Sequence, residues 1–178
     1  MNLDVHIEPM QVRHIAGYRQ CLDEVARERK YLAFLQAPSL ADTRAYVVAQ
    51  ITRRCPYFVA LDGENVVGWA DMYVSEMPSF QHVGRFGMGV LASYRRQGIG
   101  RRLMEACLAE AEHQGYQRIE LEVFATNIHA IRLYERLGFT MEGRRIKARC
   151  VDGVYDDILM MAKLLSMSHE SNPQKLPR

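Results

Sequence analysis

The segment from Val90 to Leu103 holds the residues whose types and spacing most directly indicate chemistry. An apolar strand-like run ends at Val90, then Gly98 and Gly100 precede an apolar-periodic helix. Glycines allow a tight turn and let backbone N–H groups approach a ligand closely, while the first amides of the following helix are unpaired and carry the positive end of its dipole. The segment predicts a site for an anion such as a pyrophosphate, although glycines at such turns also serve geometry alone.

The spacing of this loop selects among nucleotide-binding motifs. It lacks the Gly-Lys-Ser/Thr end of the Walker loop and the Gly-x-Gly-x-x-Gly pattern, which disfavours nucleoside triphosphates and nicotinamide cofactors. What stands here is Arg95-x-x-Gly98-x-Gly100. It resembles the Arg/Gln-x-x-Gly-x-Gly/Ala signature of the GCN5-related N-acetyltransferases (the GNAT family), whose loop binds the pyrophosphate of acetyl-CoA.

A second motif lies downstream at the separation that this family shows. It reads Asn127-x-x-Ala130-x-x-x-Tyr134-x-x-x-Gly138-Phe139 and follows the strand-like run Ile119 to Phe124. Two ordered motifs are more specific than one, and the resemblance covers residues 57–164. It implies an acetyl-CoA-dependent N-acetyltransferase that acts by direct attack of a primary amine.

The resemblance also implies which residues contact acetyl-CoA. The strand before the loop splays from its parallel neighbour in this family and pairs its freed main chain with the pantetheine arm, and the helix after the second motif lies beside it. The implied cofactor-binding set is Met88, Val90, Arg95, Arg96, Gln97, Gly98, Ile99, Gly100, Arg101, Asn127, Ala130 and Tyr134. For any one arginine a solvated surface role is the alternative.

Two catalytic roles follow from the same resemblance. Tyr134 occupies the position of the family's general acid, which protonates the departing thiolate, and the Val90 N–H is the expected oxyanion donor. Tyr134 also shares helical spacing with Ile131 and Leu137, so a core tyrosine is the alternative reading.

The general base is open at this stage. Glu120 and Glu122 alternate with apolar residues and project from one face of a strand. Glu122 lies nearer the splayed end and is a candidate base that acts through water, while a cross-strand pair with Arg85 is the structural alternative. Glu28 and Asp71 are further candidates.

Gly87 and Gly89 are unusual in the interior of the strand that leads to the loop. Glycine contributes no side-chain packing there, so the pair indicates a bulge, a close ligand approach or a crowded helix above the strand.

The sequence limits the chemical class of the acceptor amine but does not identify the molecule. The segment between the first two helices offers Glu28 and Tyr31 as substrate-contacting residues, and such a charged and aromatic rim suits an amino acid or another small amine. The pattern Glu142-Gly143…Asp152-Gly153 resembles the branch that contains L-amino-acid N-acyltransferases and ribosomal-protein N-terminal acetyltransferases. A peptide N-terminal acetyltransferase and a non-catalytic acyl-CoA-binding module are the alternatives.

Composition limits the remaining classes. The 178 residues carry a net charge of +2, which is too balanced to indicate nucleic-acid binding. The four cysteines and six histidines show no metal-ligand spacing, so we expect no metal. No apolar run approaches membrane-spanning length and no signal segment is recognisable, so a cytoplasmic protein without a membrane partner is expected. A homodimer is a further expectation from the resemblance.

The elements that must position these residues follow from periodicity and turn signals. The predicted order of elements is β-α-α-β-β-β-α-β-α-β-β. It consists of a strand at 3–7, helices near 15–25 and 40–52, a hairpin at 57–74, a strand at 83–90, a helix from 99 to about 115, a strand at 119–124, a helix at 128–137 and a hairpin at 139–161. The resemblance to the GNAT family implies the same order, and with it an α/β (α+β) acyl-CoA N-acyltransferase fold: one domain over residues 1–165, with a mixed, mostly antiparallel central sheet and helices on both faces. Residues 166–178 read as a disordered tail.

Overall fold

Strands and helices alternate along the chain in the order that the sequence predicts. The computed structural model describes residues 4–165, so the predicted tail at 166–178 lies outside the described residues. The strands are β1 (Val5–Pro9), β2 (Tyr57–Asp62), β3 (Asn65–Val74), β4 (Val83–Val90), β5 (Arg118–Phe124), β6 (Thr140–Val151) and β7 (Val154–Leu164). The helices are α1 (Ile15–Arg27), α2 (Leu40–Thr52), α3 (Ile99–His113) and α4 (Ile128–Arg136).

The strands form one mixed sheet in the order β1-β2-β3-β4-β5-β7-β6. Every neighbouring pair is antiparallel except β4 and β5, which are parallel. Their pairing runs only from Val83 opposite Arg118 to Arg85 opposite Glu120. Beyond Arg85 the two strands diverge, and the sheet opens into a cleft toward the carboxyl ends of β4 and β5.

Two hydrophobic cores hold helices against opposite faces of the sheet, which confirms the predicted arrangement. On one face, Leu103 and Cys107 of α3 are fully buried against the sheet in the larger cluster. On the other face, Tyr18 of α1 and Val47 of α2 pack in a second cluster around Trp69. We call the α1/α2 side the acceptor face, because the segment between these two helices carries Glu28 and Tyr31, the residues predicted to contact the substrate.

Capping and turn residues fix the ends of the elements as their types predict. The Ser39 hydroxyl accepts the Asp42 N–H at 3.1 Å and begins α2. Asp152 and Gly153 both have positive φ, at 52° and 78°, which is the backbone of a type I′ turn between β6 and β7.

Gly89 is required by a side chain of the neighbouring strand, and not by a helix above it as one of the sequence-based explanations had it. A Cβ at this position would lie 2.2 Å from Cη2 of Trp69, which faces it across β3 and β4. The indole therefore fills the acceptor face above Gly89, and no space for a ligand is left there.

We expect Gly89→Ala to destabilise the fold through this overlap. Overpacking of a buried site lowers the free energy of unfolding by about 1–3 kcal/mol. The overlapping atoms belong to the outer ring of the indole, so Trp69→Phe in the same chain should recover part of the loss. Chemical denaturation of the two single variants and the double variant measures this coupling. An equal effect of Gly89→Ala in both backgrounds would contradict the assignment.

Candidate active site

The cleft exposes unpaired main-chain groups of β4. Leu91 donates its N–H to the Val67 carbonyl of β3 at 2.9 Å. Because N–H groups alternate sides along a strand, those of Met88 and Val90 face the opposite edge, where β5 has diverged. An extended ligand arm can pair with this edge as an added strand would.

The loop between β4 and α3 supplies a run of unsatisfied donors. Arg96 and Gly98 have positive φ, at 61° and 81°, and the first helical bond is from the Arg102 N–H to the Gly98 carbonyl at 3.0 Å. No acceptor among residues 4–165 pairs with the N–H groups of residues 96–101. Such a nest at the positive end of a 15-residue helix binds anions, and it fits a pyrophosphate.

Gly100 brings these donors close to the cleft. A Cβ on Gly100 would lie 2.9 Å from Cε of Met88. The first turn of α3 therefore packs against β4 at Met88, whose N–H faces the cleft. One ligand can thus reach both the loop and the edge of β4.

Arg95, the first residue of the loop motif, directs its side chain inward. Its Nε donates to the Val90 carbonyl at 2.8 Å, and its two terminal nitrogens donate to both carboxylate oxygens of Glu28. Its guanidinium also lies 4.6 Å from the ring centroid of Tyr31. The Arg95 side chain therefore binds Val90 and Glu28 and not the predicted phosphate. Glu28 and Tyr31, which were predicted to contact the substrate, contact Arg95 instead.

The other loop side chains are exposed or bound locally. Gln97 donates to the Ser93 carbonyl at 2.9 Å, and Arg101 pairs with Glu105 at 2.7 Å one turn along α3. Arg96 is exposed, and Arg102 donates to the Val5 carbonyl at 2.8 Å. Within residues 4–165, Arg96 therefore has no ion-pair partner, and Arg101 would have to leave Glu105 to reach a phosphate.

Tyr134 lies in α4 and packs in the same core cluster as Val90. Its ring is buried, with its centroid 6.0 Å from that of Phe139, and burial raises the pKa of its phenol well above the ordinary value. Burial is the sole cause of this shift, and no hydrogen bond from another described residue contributes to it. A phenol that stays protonated is able to give a proton to a group in the cleft.

Asn127 fixes the start of α4. Its side-chain oxygen accepts the Ala130 N–H at 3.3 Å, so the predicted capping role is formed. This cap holds the first turn of α4 at the end of β5, beside the opening of the sheet.

The pairing expected between Glu122 and Arg85 is wrong. Arg85 lies 3.8 Å from Glu120, which is its register partner on β5, while Glu122 forms an ion pair with Arg145 of β6. Parallel register sets this outcome, because Arg85 is level with Glu120 and Glu122 lies past the point where the strands separate. Glu122 is an exposed carboxylate at the margin of the cleft.

Two features of the acceptor face carry no signal in the sequence. Arg29 forms a two-point ion pair with Asp152, at 3.0 and 2.8 Å, and we call this pair the 29–152 clasp. Beneath it Arg149 donates to the Arg29 carbonyl at 2.7 Å and lies 4.3 Å from the ring centroid of Phe124. More than a hundred residues separate the partners along the chain, so only the fold brings them together.

Residues 4–165 contain no group of three His, Cys, Asp or Glu side chains positioned to hold a metal ion. Within the same range, the helices are too short or too polar to cross a bilayer.

Comparison with known proteins places this geometry in a family. Residues 20–139 match the acetyltransferase (GNAT) family. The chain is 33% identical over 105 residues to an L-amino acid N-acetyltransferase of Escherichia coli, and 42% identical over 83 residues to the ribosomal protein bS18-alanine N-acetyltransferase of the same organism. These matches cover 58% and 46% of this chain, and 64% and 55% of the relatives, so the chain spans between about half and two thirds of the relatives' lengths.

A solved structure shares the fold at low sequence identity. A phosphinothricin acetyltransferase from Sinorhizobium meliloti, determined in complex with acetyl-CoA, superposes with a TM-score of 0.87 at 17% identity, over 96% of this chain and 94% of that one. The family match, the splayed strands and the donor-rich loop agree. The chain belongs to the GNAT acetyltransferase family.

Proposed function

We propose that the protein transfers the acetyl group of acetyl-CoA to the primary amine of a small molecule that carries a carboxylate, such as an amino acid. The observation that carries this proposal is the 29–152 clasp. Glu28 is bound to Arg95, just after β4, and Arg29 is bound to Asp152, in the β6–β7 turn next to β5. The segment 28–29 therefore spans the open end of the split on the acceptor face, which leaves room for a compact amine and obstructs an extended peptide.

The chain's own groups supply what acyl transfer needs. When bound, acetyl-CoA provides an activated acetyl thioester. The N–H groups of residues 96–101 and the edge of β4 would hold its pyrophosphate and pantetheine arm, and the Val90 N–H would stabilise negative charge on the carbonyl oxygen. Tyr134 would protonate the departing sulfur, because burial keeps its hydroxyl protonated at neutral pH. Glu122 stays a candidate for the base.

Arg149 supports a carboxylate on the acceptor. It is partly buried under the clasp, and no carboxylate among the described residues pairs with it. A partly buried guanidinium without an anion is costly, and a bidentate carboxylate is the ligand it prefers. The Escherichia coli L-amino acid N-acetyltransferase to which the chain is similar has acceptors of this kind in its name.

The first test is acetyl-CoA-dependent thiol release with free amino acids, their carboxamides, polyamines, aminoglycosides and short peptides. We expect turnover of one or more free amino acids and weak turnover of peptides. Transfer to peptides without transfer to free amino acids would favour the N-terminal protein acetyltransferase reading, which the bS18-alanine acetyltransferase relative makes the second candidate. Sedimentation at micromolar concentration checks the expected homodimer.

Arg149→Met should raise the KM for the preferred amino acid without changing the KM for its carboxamide. A charge-assisted bond contributes about 1.5–3 kcal/mol, so the expected rise is about 10-fold to 100-fold. The amino acid and its carboxamide differ only in the charged group and serve as matched substrates. An equal loss with both would show that Arg149 supports the structure and does not recognise a carboxylate.

A further inference from the structure

The acceptor face has an opening above Gly87. At the next position of the same face the indole of Trp69 covers Gly89, whereas Gly87 is exposed. Within residues 4–165, and apart from its chain neighbours, the one atom within 4 Å of a Cβ built on Gly87 is Oδ1 of Asp71, at 3.4 Å. The opening adjoins Met88, whose N–H faces the cleft, so a small group above Gly87 stands beside the part of β4 that would hold the thioester.

Asp71 differs from the other carboxylates around the cleft in having no cationic partner within the described part of the chain. The other three each pair with an arginine: Glu28 with Arg95, Glu120 with Arg118 and Glu122 with Arg145. Asp71 accepts a hydrogen bond from the Tyr46 hydroxyl at 2.5 Å. A carboxylate that is largely shielded from water is costly without a cation, so its surroundings favour a positively charged ligand.

Tyr57 completes one wall of this site. It lies directly opposite Asp71 across β2 and β3, and its buried hydroxyl neighbours that of Tyr18 without a hydrogen bond of ordinary geometry in residues 4–165. Its ring centroid is 6.5 Å from that of Tyr46. A poorly paired buried hydroxyl favours a bound polar ligand, and tyrosine rings beside a carboxylate suit an ammonium.

We propose that Asp71, with Tyr46 and Tyr57, forms the binding site for the acceptor's ammonium group and that the Asp71 carboxylate takes its proton before transfer. The proposal rests on the acetyl-transfer function argued above, and it assigns to Asp71 the base role that Glu122 would otherwise fill. Asp71 Oδ1 lies 3.4 Å from the position of a Cβ on Gly87. An amine in the opening above Gly87 would therefore lie next to Asp71 and pass its proton to it directly or through one water.

The protons and bonds balance in this scheme. Asp71 takes one proton from the ammonium, and the neutral nitrogen then forms its bond to the acetyl carbon as the carbon–sulfur bond breaks. Tyr134 gives its proton to the sulfur, and the second proton that leaves the nitrogen restores the phenol. Asp71 returns its proton to solvent, so the products are the amide, the free thiol and one proton.

The proposal carries a pH dependence whose sign follows from the site. Burial raises the pKa of Asp71 to about 6, and the carboxylate must be ionised to act, so kcat/KM should fall as the pH drops through this value. Among the described residues, the titratable groups that interact with Asp71 are the Tyr18, Tyr46 and Tyr57 hydroxyls and the Cys55 and Cys107 thiols. Arg85, next along β4, is turned to the Tyr73 hydroxyl at 2.7 Å.

The test compares pH profiles of kcat/KM for the wild type, Asp71→Asn, Tyr46→Phe and Glu64→Gln. Asp71→Asn should reduce kcat/KM at pH 7.5 by about 100-fold or more, in the range of general-base removal, and abolish the acid limb. Tyr46→Phe should move that limb to higher pH, because the hydroxyl bond lowers the pKa of Asp71. Glu64→Gln removes an exposed carboxylate of the β2–β3 turn and should keep the wild-type profile.

Calorimetric binding of acetyl-CoA, measured alongside, separates the two levels of the proposal. A wild type that binds acetyl-CoA and acetylates no amine would overturn the proposed function itself. A wild type that acetylates amines while Asp71→Asn keeps both the rate and the acid limb would overturn the Asp71 site alone, as would loss of the limb in Glu122→Gln but not in Asp71→Asn. An unshifted limb in Tyr46→Phe would also count against it.

Discussion

Tyr134→Phe should lower kcat for acetyl transfer by about 100-fold or more, which is the range of a lost general acid. The substitution removes one oxygen atom from a ring that is buried in the core, and no hydrogen bond from another described residue contributes to the raised pKa of that phenol. Packing is therefore kept, and the loss falls on the step in which sulfur departs. Single-turnover measurement of thiol release, with acetyl-CoA affinity measured by calorimetry, should show a slow chemical step and unchanged binding.

Tyr116→Phe is the matched control for this prediction. Tyr116 is a partly buried tyrosine packed against the same core, at the end of the sheet away from the opening of β4 and β5. Its phenol also has a raised pKa through burial, at about 12, so it shares the electrostatic character of Tyr134 without its position. A kcat within about twofold of wild type in both variants would remove Tyr134 from the mechanism and leave it as a core tyrosine.

Gly98→Asp should weaken acetyl-CoA binding by about 100-fold and lower the free energy of unfolding by about 1–2 kcal/mol or less, the cost of a side chain on a left-handed backbone. Aspartate tolerates the left-handed backbone better than most residues and caps helix N-termini well, and Gly98 is the N-cap of α3 with φ of 81°. The new carboxylate would occupy the N–H groups of residues 96–101 and repel a pyrophosphate. Calorimetry with acetyl-CoA and thermal unfolding of the free protein measure the two effects.

Two variants separate charge from backbone strain in this experiment. Gly98→Asn has nearly the same shape and the same conformational cost without the charge, so it should weaken binding much less. Gly115→Asp places aspartate at a glycine with φ of 81° that also has no atom within 4 Å of a built Cβ, but at the opposite end of α3. If Gly98→Asp bound acetyl-CoA as tightly as wild type, the loop would not be the pyrophosphate site.

Local sequence determined the elements and much of the site. The glycine loop, the Asn127 cap and the Asp152–Gly153 turn each depend on residues within a few positions of one another, because helix starts, nests and tight turns are short-range features. Alternation and helical periodicity likewise predict which face of each element is buried. For these reasons the order of elements, the mixed sheet and, through its motif, the position of Tyr134 could be predicted from the sequence before the tertiary structure was known.

The tertiary structure alone decided which partners the charged side chains take. Glu28 with Arg95, Glu122 with Arg145 and Arg29 with Asp152 join residues that are far apart along the chain. The register of β4 and β5 determines which glutamate meets Arg85, and the crossing of Trp69 over Gly89 determines where the acceptor face is open. Side-chain pairing depends on distances that a sequence pattern does not contain, so the isolation of Asp71 beside the opening at Gly87 became visible only when the sheet was assembled.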